Sequence, residues 1–529
     1  MNWFPQSAPR LLLPLALAAS LTNVSTSQDA PEVGPFCRAE SSGFTATSTL
    51  KHVEEFLEAI RALDGGASFE VERFGSSKED RPMWSVRVPC TGNLDDPLRV
   101  VILANIHGGE VCGKEAVQIL IREWARGEHS VIRQACELVV VPIYNVDGNE
   151  KIAVNNRSNV NGPVGGLGER ANAEGFDLNR DFVKAVAPET RALLGLLNAE
   201  DPHAFFDLHT TNGAPHGFDL TYAPSLSPNT DPDLTNALVE QIFPAVRERM
   251  DTVHGYKTFD YGNFSRSEPV AYQTFDHRPR FATNYVGLRN CFSILSEAYA
   301  YEPFELRVRA TRAFVLECLN ELVGSADQVK ALCAQAEARC FDGEALFGTE
   351  TTLVDGPVVG IPTRAWDRMP LPTGGTRVMR RSEIVPREVL LRVRFEAQTQ
   401  EEMPKGWVIP QRSSTQILET LRAHGVLVQQ MAEGQSIPVR MFVPESGDRA
   451  QRPFQGVRNV TLRGSWQDGT FRTHEATYFI PSAQRLGRVA AQLLEPLSED
   501  GLVTWGFLYD YTEIKSDSSP GRFPILRRR

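Results

Sequence analysis

The sequence of 529 residues lacks any long apolar run after its N-terminal segment. A helix needs about 20 consecutive apolar residues to cross a bilayer, so an integral membrane span is not expected in the rest of the chain. The sequence also lacks an excess of positive charge, because 55 lysines and arginines stand against 66 aspartates and glutamates, for a net charge of -11. Since phosphate groups are bound by basic surfaces, nucleic acid is not expected as the partner.

The sequence also lacks a motif typical of redox-active cysteines and a motif typical of serine nucleophiles. The eight cysteines include no Cys-x-x-Cys pair, and no Gly-x-Ser-x-Gly sequence is present. A serine nucleophile on a strand-to-helix elbow is therefore not expected. In an exported chain some cysteines could form disulfides, but the sequence does not reveal their pairing, and we expect structural, buried thiols.

The one apolar run that is present lies near the N-terminus. Arg10 precedes LLLPLALAASL, which has about the length of the hydrophobic region of a signal peptide, and small residues that permit cleavage follow within it. We predict a signal peptide and flexible start over residues 1–30, and therefore a secreted or periplasmic protein. An uncleaved membrane anchor is the alternative interpretation.

The length predicts more than one domain, because single hydrophobic cores stop growing at about 250–300 residues. Over residues 37–340, short apolar strands alternate with helical patterns, which predicts an α/β fold with a mixed, mostly parallel sheet and helices on both faces. After residue 340 the strand-like runs are broken by Pro and Gly, and only one clear helix remains. We therefore predict a separate α+β or β-rich domain over residues 341–529, without a catalytic constellation and of unknown role.

The ends of the predicted strands carry the chemistry. In open α/β sheets, ligands bind beyond the carboxyl ends of the strands. The strand in VVILANIHGGE ends at His107 and Glu110, the strand in AFFDLHTT ends at His209, and the strand in CFSILSEA ends at Glu297. These side chains are therefore expected to lie close together at one edge of the sheet.

Two imidazoles and one carboxylate form a frequent ligand set of catalytic zinc sites, with the fourth position left for water. This set requires His107, Glu110 and His209, and a tight turn with two glycines would bring the first two onto one ion. A lone carboxylate after a buried strand is costly unless it is used. Glu297 is therefore predicted to act as the general base beside the metal.

Five short motifs occur in this order: HGGE, NVDG, LNRDF, DLHTT and LSEAY. Together they resemble the zinc metallocarboxypeptidase family, the carboxypeptidase A-like enzymes, over about residues 45–325. The resemblance implies one Zn²⁺ per catalytic domain, with His107, Glu110 and His209 as its ligands and Glu297 as the base. It also implies that Asn179 and Arg180 bind the terminal carboxylate of the substrate, a task that suits the planar guanidinium fork.

The chain departs from the family pattern at several positions. Many members carry an arginine directly before the ligand glutamate, where this chain has Gly109. The arginine that polarises the scissile carbonyl is assigned first to Arg170 and second to Arg157, and a solvated loop residue is an open alternative for either. The flexible substrate tyrosine is assigned to Tyr285, although a packing role is an open alternative, and Arg289 is a further substrate-binding candidate.

We therefore predict a zinc metallopeptidase that releases C-terminal residues from peptides. A near alternative is a zinc amidase or deacylase that uses the same residues on cell-wall peptides or N-acyl amino acids. A third reading is a binding module that has kept the fold and lost turnover. The presence of all ligands and of the base argues against this last class.

Overall fold

The computed structural model describes six stretches of the chain, and the predicted signal peptide lies outside them. Within these stretches, no helix combines the length and the apolar character that crossing a membrane requires. The eight cysteines are free thiols, seven of them buried and Cys90 half-buried. The described stretches are residues 34–157, 159–211, 213–370, 376–410, 415–508 and 523–529.

The first two thirds of the structure contain ten strands and eleven α-helices in alternation. The strands are β1 Glu70–Ser76, β2 Pro82–Val88, β3 Leu98–Ala104, β4 Cys136–Val141, β5 Ala204–Thr211, β6 Leu220–Pro224, β7 Thr258–Asp260, β8 Asn263–Phe264, β9 Ala271–Gln273 and β10 Phe292–Tyr299. The helices are α1 Arg38–Ser41, α2 Leu50–Arg61, α3 Cys112–Ala125, α4 Ser130–Ala135, α5 Val146–Glu150, α6 Pro188–Glu200, α7 Pro232–Ala237, α8 Phe243–Thr252, α9 Ala282–Gly287, α10 Phe304–Gly324 and α11 Ala326–Phe341.

Eight of these strands form one sheet in the order β1-β2-β4-β3-β5-β10-β6-β7. The neighbours β4, β3, β5 and β10 run parallel, whereas β1, β2 and β6 add antiparallel pairs. The central strands are apolar along nearly their whole length, as expected for strands covered on both faces. Helices α3, α9 and α10 pack against them. The predicted α/β fold with a mostly parallel sheet is confirmed.

The remaining third is rich in β-strands. It contains β11 to β22 and two helices. The strands are β11 Leu346–Val354, β12 Val358–Thr363, β13 Trp366–Pro370, β14 Thr376–Arg380, β15 Val385–Arg392, β16 Arg394–Glu402, β17 Gly406–Pro410, β18 Gln429–Gln430, β19 Ser436–Arg449, β20 Val460–Arg472, β21 Thr477–Pro481 and β22 Leu526–Arg528, and the helices are α12 Thr415–Ala423 and α13 Gly487–Leu494.

The C-terminal third packs closely onto the first part. Strand β15 pairs in parallel with β9, and the largest hydrophobic core contains residues from both parts, among them Phe314 and Trp407. Residues Pro35–Arg529 form one compact unit. The division into domains after residue 340 stays a prediction, but this packing brings C-terminal residues to the site that the sheet positions.

A buried histidine contributes to the contact between the two parts. His424 follows α12 and is fully buried, with its Nε2 3.0 Å from the Val183 carbonyl and its Nδ1 2.7 Å from the Tyr285 hydroxyl. The donor to the Val183 carbonyl is Nε2–H, so Nδ1 accepts from the Tyr285 hydroxyl. Burial, assisted by Arg289, lowers the pKa of His424 from 6.5 to about 3.

This pKa predicts an acid-sensitive contribution to stability. The unfolded chain binds a proton at this histidine below pH 6.5 and the folded chain does not, so the contribution is complete above 6.5 and is lost as the pH falls towards 3. Between pH 6.5 and about pH 5 the free energy of unfolding should fall by roughly 2 kcal/mol less in His424→Gln than in the parent. Urea unfolding at both pH values measures this difference. The exposed His474→Gln is the control, and equal pH dependence of all three proteins would contradict the prediction.

Candidate metal centre and active-site cavity

The turn after β3 is shaped by Asn105 and by close backbone approach. Asn105 adopts a left-handed conformation with φ of 64°, and its side-chain amide donates to the carbonyls of His107, Gly108 and Glu110. A Cβ atom at Gly108 would lie 2.2 Å from the carbonyl carbon of Gly148. Glycine is thus required at 108 by this contact between two loops.

The structure brings three predicted ligands into one buried group. The Glu110 carboxylate lies between the two imidazoles, with Oε1 2.9 Å from His107 Nδ1 and Oε2 2.9 Å from His209 Nδ1. One ligand atom from each residue lies within 4.8 Å of the other two. The backbone N–H of Thr210 also donates to Glu110 Oε2 at 3.1 Å. The side chains of all three are almost fully buried.

Two aspartates orient the outward nitrogens of the imidazoles. His107 Nε2 donates to Asp177 Oδ1 at 3.0 Å, and His209 Nε2 lies 2.9 Å from Asp207 Oδ1. Thr283 in turn donates to the other oxygen of Asp207. Carboxylates in this position fix the ring orientation of metal-binding histidines and raise their basicity. Both imidazoles therefore present Nδ1 to the centre of the group.

The residues of this group fit a zinc ion. Two imidazole nitrogens and one carboxylate oxygen converge, and each imidazole is held by an aspartate on its far side. A second group of the described chain, Glu123, Glu128 and His129, is less suitable because Glu128 is exposed and His129 is only half-buried, whereas all three members of the first group are buried. The first group is therefore the candidate metal centre.

The electrostatics of the group are set by burial and by its cations. Burial alone would raise the pKa of Glu110, but His107 and Arg157 outweigh it, so this pKa lies well below its usual value. Burial disfavours a charged His209, yet Asp207 and Glu110 raise its pKa well above the ordinary value. The Glu110 carboxylate is thus kept ionised, as metal binding requires.

Glu297 faces the same cavity from β10. In the parallel pairing of β5 and β10 it stands directly opposite His209. Its Oε2 atom is buried and has no hydrogen-bond partner among the described residues. Burial raises the pKa of Glu297 to about 8, with Glu110 and Asp207 adding to the rise and His209 opposing it. A carboxylate with an unpaired oxygen beside a ligand group is suited to proton transfer.

Arg157 and Arg170, the two candidates for polarising the scissile carbonyl of the substrate, occupy different positions. Arg157 donates to Glu110 Oε1 at 2.6 Å. Arg170 makes two bonds to Asp177, at 2.8 and 3.0 Å, and its Nη1 lies 3.6 Å from Glu110 Oε1. The side chain of Arg170 is 42% exposed and that of Arg157 13%. Both line the cavity, and the structure leaves more of Arg170 accessible from it.

Asn179 and Arg180 lie in one helical turn, Leu178–Arg180, at the cavity wall. The Asn179 side chain accepts from the Ala282 backbone at 2.8 Å, which ties this turn to the start of α9. The Arg180 guanidinium lies 4.0 Å above the ring of Phe281 and donates to the Asn179 carbonyl. The structure thus places this pair in the cavity of the ligand group.

The cavity has a volume of about 730 Å³. His107, Glu110, His209, Glu297, Arg157, Arg170, Asn179 and Arg180 all line it, together with residues of the C-terminal part, among them Phe454 and Thr504.

Tyr285 and Arg289 are not brought to this cavity. Tyr285 is buried and its hydroxyl bonds to His424, and Arg289 donates to the His424 and Leu197 carbonyls. Neither side chain is among the residues that line the cavity. Their positions give no support to the predicted contact with substrate, because both are used in packing between α9 and the C-terminal part.

Sequence reasoning missed the two aspartates that hold the histidines. Asp177 lies two residues before Asn179, and Asp207 lies two residues before His209. In DLHTT, the aspartate two positions before the predicted ligand could have indicated Asp207, because side chains two apart on a strand point to the same face. For Asp177 no such local signal exists, because its partner His107 is 70 residues away.

Gly109 provides the room for Arg157. A Cβ atom at Gly109 would lie 2.7 Å from Arg157 Cγ and 2.5 Å from the Gly168 carbonyl oxygen. Gly109→Ala should therefore displace Arg157 from Glu110 and lower the free energy of unfolding by about 1–3 kcal/mol, the cost of removing a partner from a buried charge.

Urea unfolding measures this loss. The matched control is Gly195→Ala in α6, where an added Cβ meets no atom within 4 Å and should stabilise the helix by about 0.5–1 kcal/mol. Unchanged stability of Gly109→Ala would show that the chain adjusts without moving Arg157.

Comparison with known proteins finds that this chain is similar to zinc carboxypeptidases. The family model described as zinc carboxypeptidase matches residues 53–265, a span that contains the ligand group, Asn179 and Arg180 but not Glu297. Carboxypeptidase 2 of Trichophyton tonsurans is 20% identical over 532 residues, which cover 93% of this chain and 89% of that protein.

Two further comparisons cover less of the chain. Carboxypeptidase D of Rattus norvegicus is 30% identical over 173 residues, which are 26% of this chain and 12% of that protein. The crystal structure of a metallo-carboxypeptidase from Burkholderia cenocepacia covers 52% of this chain and 70% of its own, at 19% identity and a TM-score of 0.40. The resemblance seen in the ordered sequence motifs is confirmed: residues 53–265 match the zinc carboxypeptidase model, and the relatives named above are carboxypeptidases.

Proposed function

We propose that this protein is a zinc-dependent carboxypeptidase that hydrolyses the last peptide bond of its substrates. The observation that carries the proposal is that the Arg180 guanidinium has no close carboxylate partner among the described residues. Four other arginines line the cavity, and each holds a carboxylate oxygen within 3.1 Å. Arg180 lies 3.9 Å from an Asp177 oxygen, so its planar fork is available for the carboxylate of a substrate.

His107, Glu110 and His209 would hold one Zn²⁺ ion. A bound zinc ion polarises the scissile carbonyl as a Lewis acid and lowers the pKa of the attacking water. The two aspartates keep both imidazoles turned towards the ion. Arg157 offsets the charge of Glu110 on the side away from His209.

Glu297 would act as the general base and then the general acid. Its unpaired oxygen takes the proton from the attacking water and delivers it to the leaving nitrogen. A divalent cation held by the three ligands would lower the pKa of Glu297 from its raised value towards the working range.

Arg170 is the preferred residue for the oxygen of the scissile carbonyl. Its Nε and Nη2 atoms are fixed by Asp177, which leaves Nη1 towards the ligand group. A guanidinium that is already oriented stabilises developing negative charge without reorganisation. Arg157, bonded directly to Glu110, is the second choice.

Export from the cytoplasm is part of the proposal and depends on the N-terminal sequence pattern alone. The signal-peptide prediction supports a secreted or periplasmic enzyme. The predicted catalytic domain of residues 37–340 and the β-rich domain of residues 341–529 are proposed as its two functional parts.

The roles of ligand and base predict different failures on substitution. Glu297→Gln should keep the zinc content of the parent and lose roughly 10³-fold in kcat, because only the proton-transferring group is removed. His209→Ala should lose the metal itself. Elemental analysis of the purified proteins measures the zinc content. Hydrolysis of a dipeptide with a blocked N-terminus and a free C-terminal carboxylate measures kcat.

The matched control is Glu499→Gln, a second glutamate of the cavity wall whose carboxylate pairs with His277 at 2.9 Å. Its kcat should stay within a few-fold of the parent. An unchanged rate in Glu297→Gln would remove Glu297 from the proposed mechanism.

The role of Arg180 predicts discrimination between free and blocked substrates. The parent should cleave a peptide with a free C-terminal carboxylate in preference to its C-terminal amide. Arg180→Ala should raise KM for the free acid by roughly 10²-fold, because a charge-assisted pair of bonds is lost, and should leave cleavage of the amide unchanged. Steady-state kinetics on the two peptides measure the ratio. Equal cleavage of both by the parent would favour the amidase alternative.

A further inference from the structure

A tight turn from the C-terminal part reaches the wall of the cavity. In residues 454–457, Phe454 and Val457 exchange both backbone hydrogen bonds, at 2.8 and 3.0 Å. The two residues between them have positive φ values, 50° at Gln455 and 77° at Gly456. A two-residue turn of this kind requires positive φ at both central positions, which glycine and asparagine adopt most easily.

Gln455 is unusual at its position in the turn. A glutamine in the left-handed region costs roughly 1–2 kcal/mol, and such strain persists where the side chain has a task. The task is visible in the structure: Gln455 Oε1 accepts a hydrogen bond of 2.9 Å from the backbone N–H of Asp177. The strained residue therefore reaches from the C-terminal part into the catalytic part.

Asp177 is a central residue of the site. Its carboxylate accepts from His107 Nε2 and from Arg170, and its oxygen also caps the N–H of Asn179. The turn that follows it carries Arg180. A bond that fixes the backbone of Asp177 thus fixes the start of the turn that presents Asn179 and Arg180 to the cavity.

One residue of the 454–457 turn contacts a group of charged and aromatic side chains. Phe454 lines the cavity, and the Arg280 guanidinium lies 5.2 Å above its ring. Arg280 bonds to the Asp500 carboxylate through its backbone N–H, its Nε and its Nη2. Trp505 donates to the same carboxylate at 3.0 Å and lies under the same guanidinium. Arg280, Asp500 and Trp505 therefore support the end of the turn that precedes Gln455.

We infer that Gln455 is a positioning residue, through which the C-terminal part holds the Asn179–Arg180 turn in the orientation that receives the substrate carboxylate. This inference rests on the proposed carboxypeptidase function. It gives residues 341–529 a role in the site: the catalytic part supplies the reacting groups, and the C-terminal part completes the carboxylate clamp.

The variant Gln455→Gly separates this role from folding. Glycine adopts the left-handed conformation freely, so the variant should melt at the same temperature as the parent or higher. Its KM for a peptide with a free C-terminal carboxylate should rise about five-fold, the equivalent of one lost hydrogen bond. Its kcat on that peptide, its zinc content and its cleavage of the C-terminal amide should not change.

Two further variants complete the experiment. Gln455→Met keeps the length of the side chain but has no strong acceptor, so it should raise KM as Gln455→Gly does. Asp80→Gly, at an exposed left-handed position with φ of 59° before β2 and outside the cavity, is the matched control and should leave KM unchanged.

The outcomes distinguish the two hypotheses. If the parent prefers the free acid but Gln455→Gly and Gln455→Met have the same KM as the parent, the inference is overturned and the proposed function stays intact. Equal losses on the acid and the amide also overturn it, since they indicate a general structural role. A parent that cleaves acid and amide equally overturns the proposed function, and the inference falls with it.

Discussion

The buried carboxylate of Glu110 is the interaction on which the rest of the site depends. An ionised carboxylate away from water is costly unless charges and donors surround it, and here two imidazoles, Arg157 and the Thr210 N–H do so. These partners come from the loop after β3, from β5 and from the long loop before α6. The Glu110 carboxylate is thus satisfied only when β3 and β5 lie side by side, as they do in the sheet.

Outside this group the structure adds two levels of support. The first consists of Asp177 and Asp207, which hold the far nitrogens of the imidazoles. The second consists of residues that hold the aspartates, Thr283 for Asp207 and Arg170 and Gln455 for Asp177. Because Gln455 belongs to the C-terminal part, the β-rich region contributes to the geometry of the cavity as well as to its wall. The orientation of the Asn179–Arg180 turn thus depends on a contact between the two parts of the chain.

The sequence predicted the strands β3, β5 and β10 because each is a continuous apolar run, as strands buried on both faces must be. It also predicted His107, Glu110, His209 and Glu297 as neighbours, since carboxyl ends of parallel strands meet at one edge. It did not predict which arginine lies nearest Glu110, because Arg157 and Arg170 both belong to an irregular loop. For Tyr285, a short polar stretch gave no sign that the C-terminal part would cover it, and the contact with His424 spans 139 residues.

The amino-acid sequence by itself determined the chemistry available to this protein: which strands are buried, and which histidines and carboxylates follow them. These properties depend on local patterns of apolar and polar residues, and such patterns can be read along the chain. Tertiary structure alone decided that Arg180 is left open, that Arg157 fills the space beside Gly109, and that Gln455 reaches Asp177. Those outcomes depend on distances between segments far apart in the chain, which close packing sets to within an ångström and no local pattern encodes.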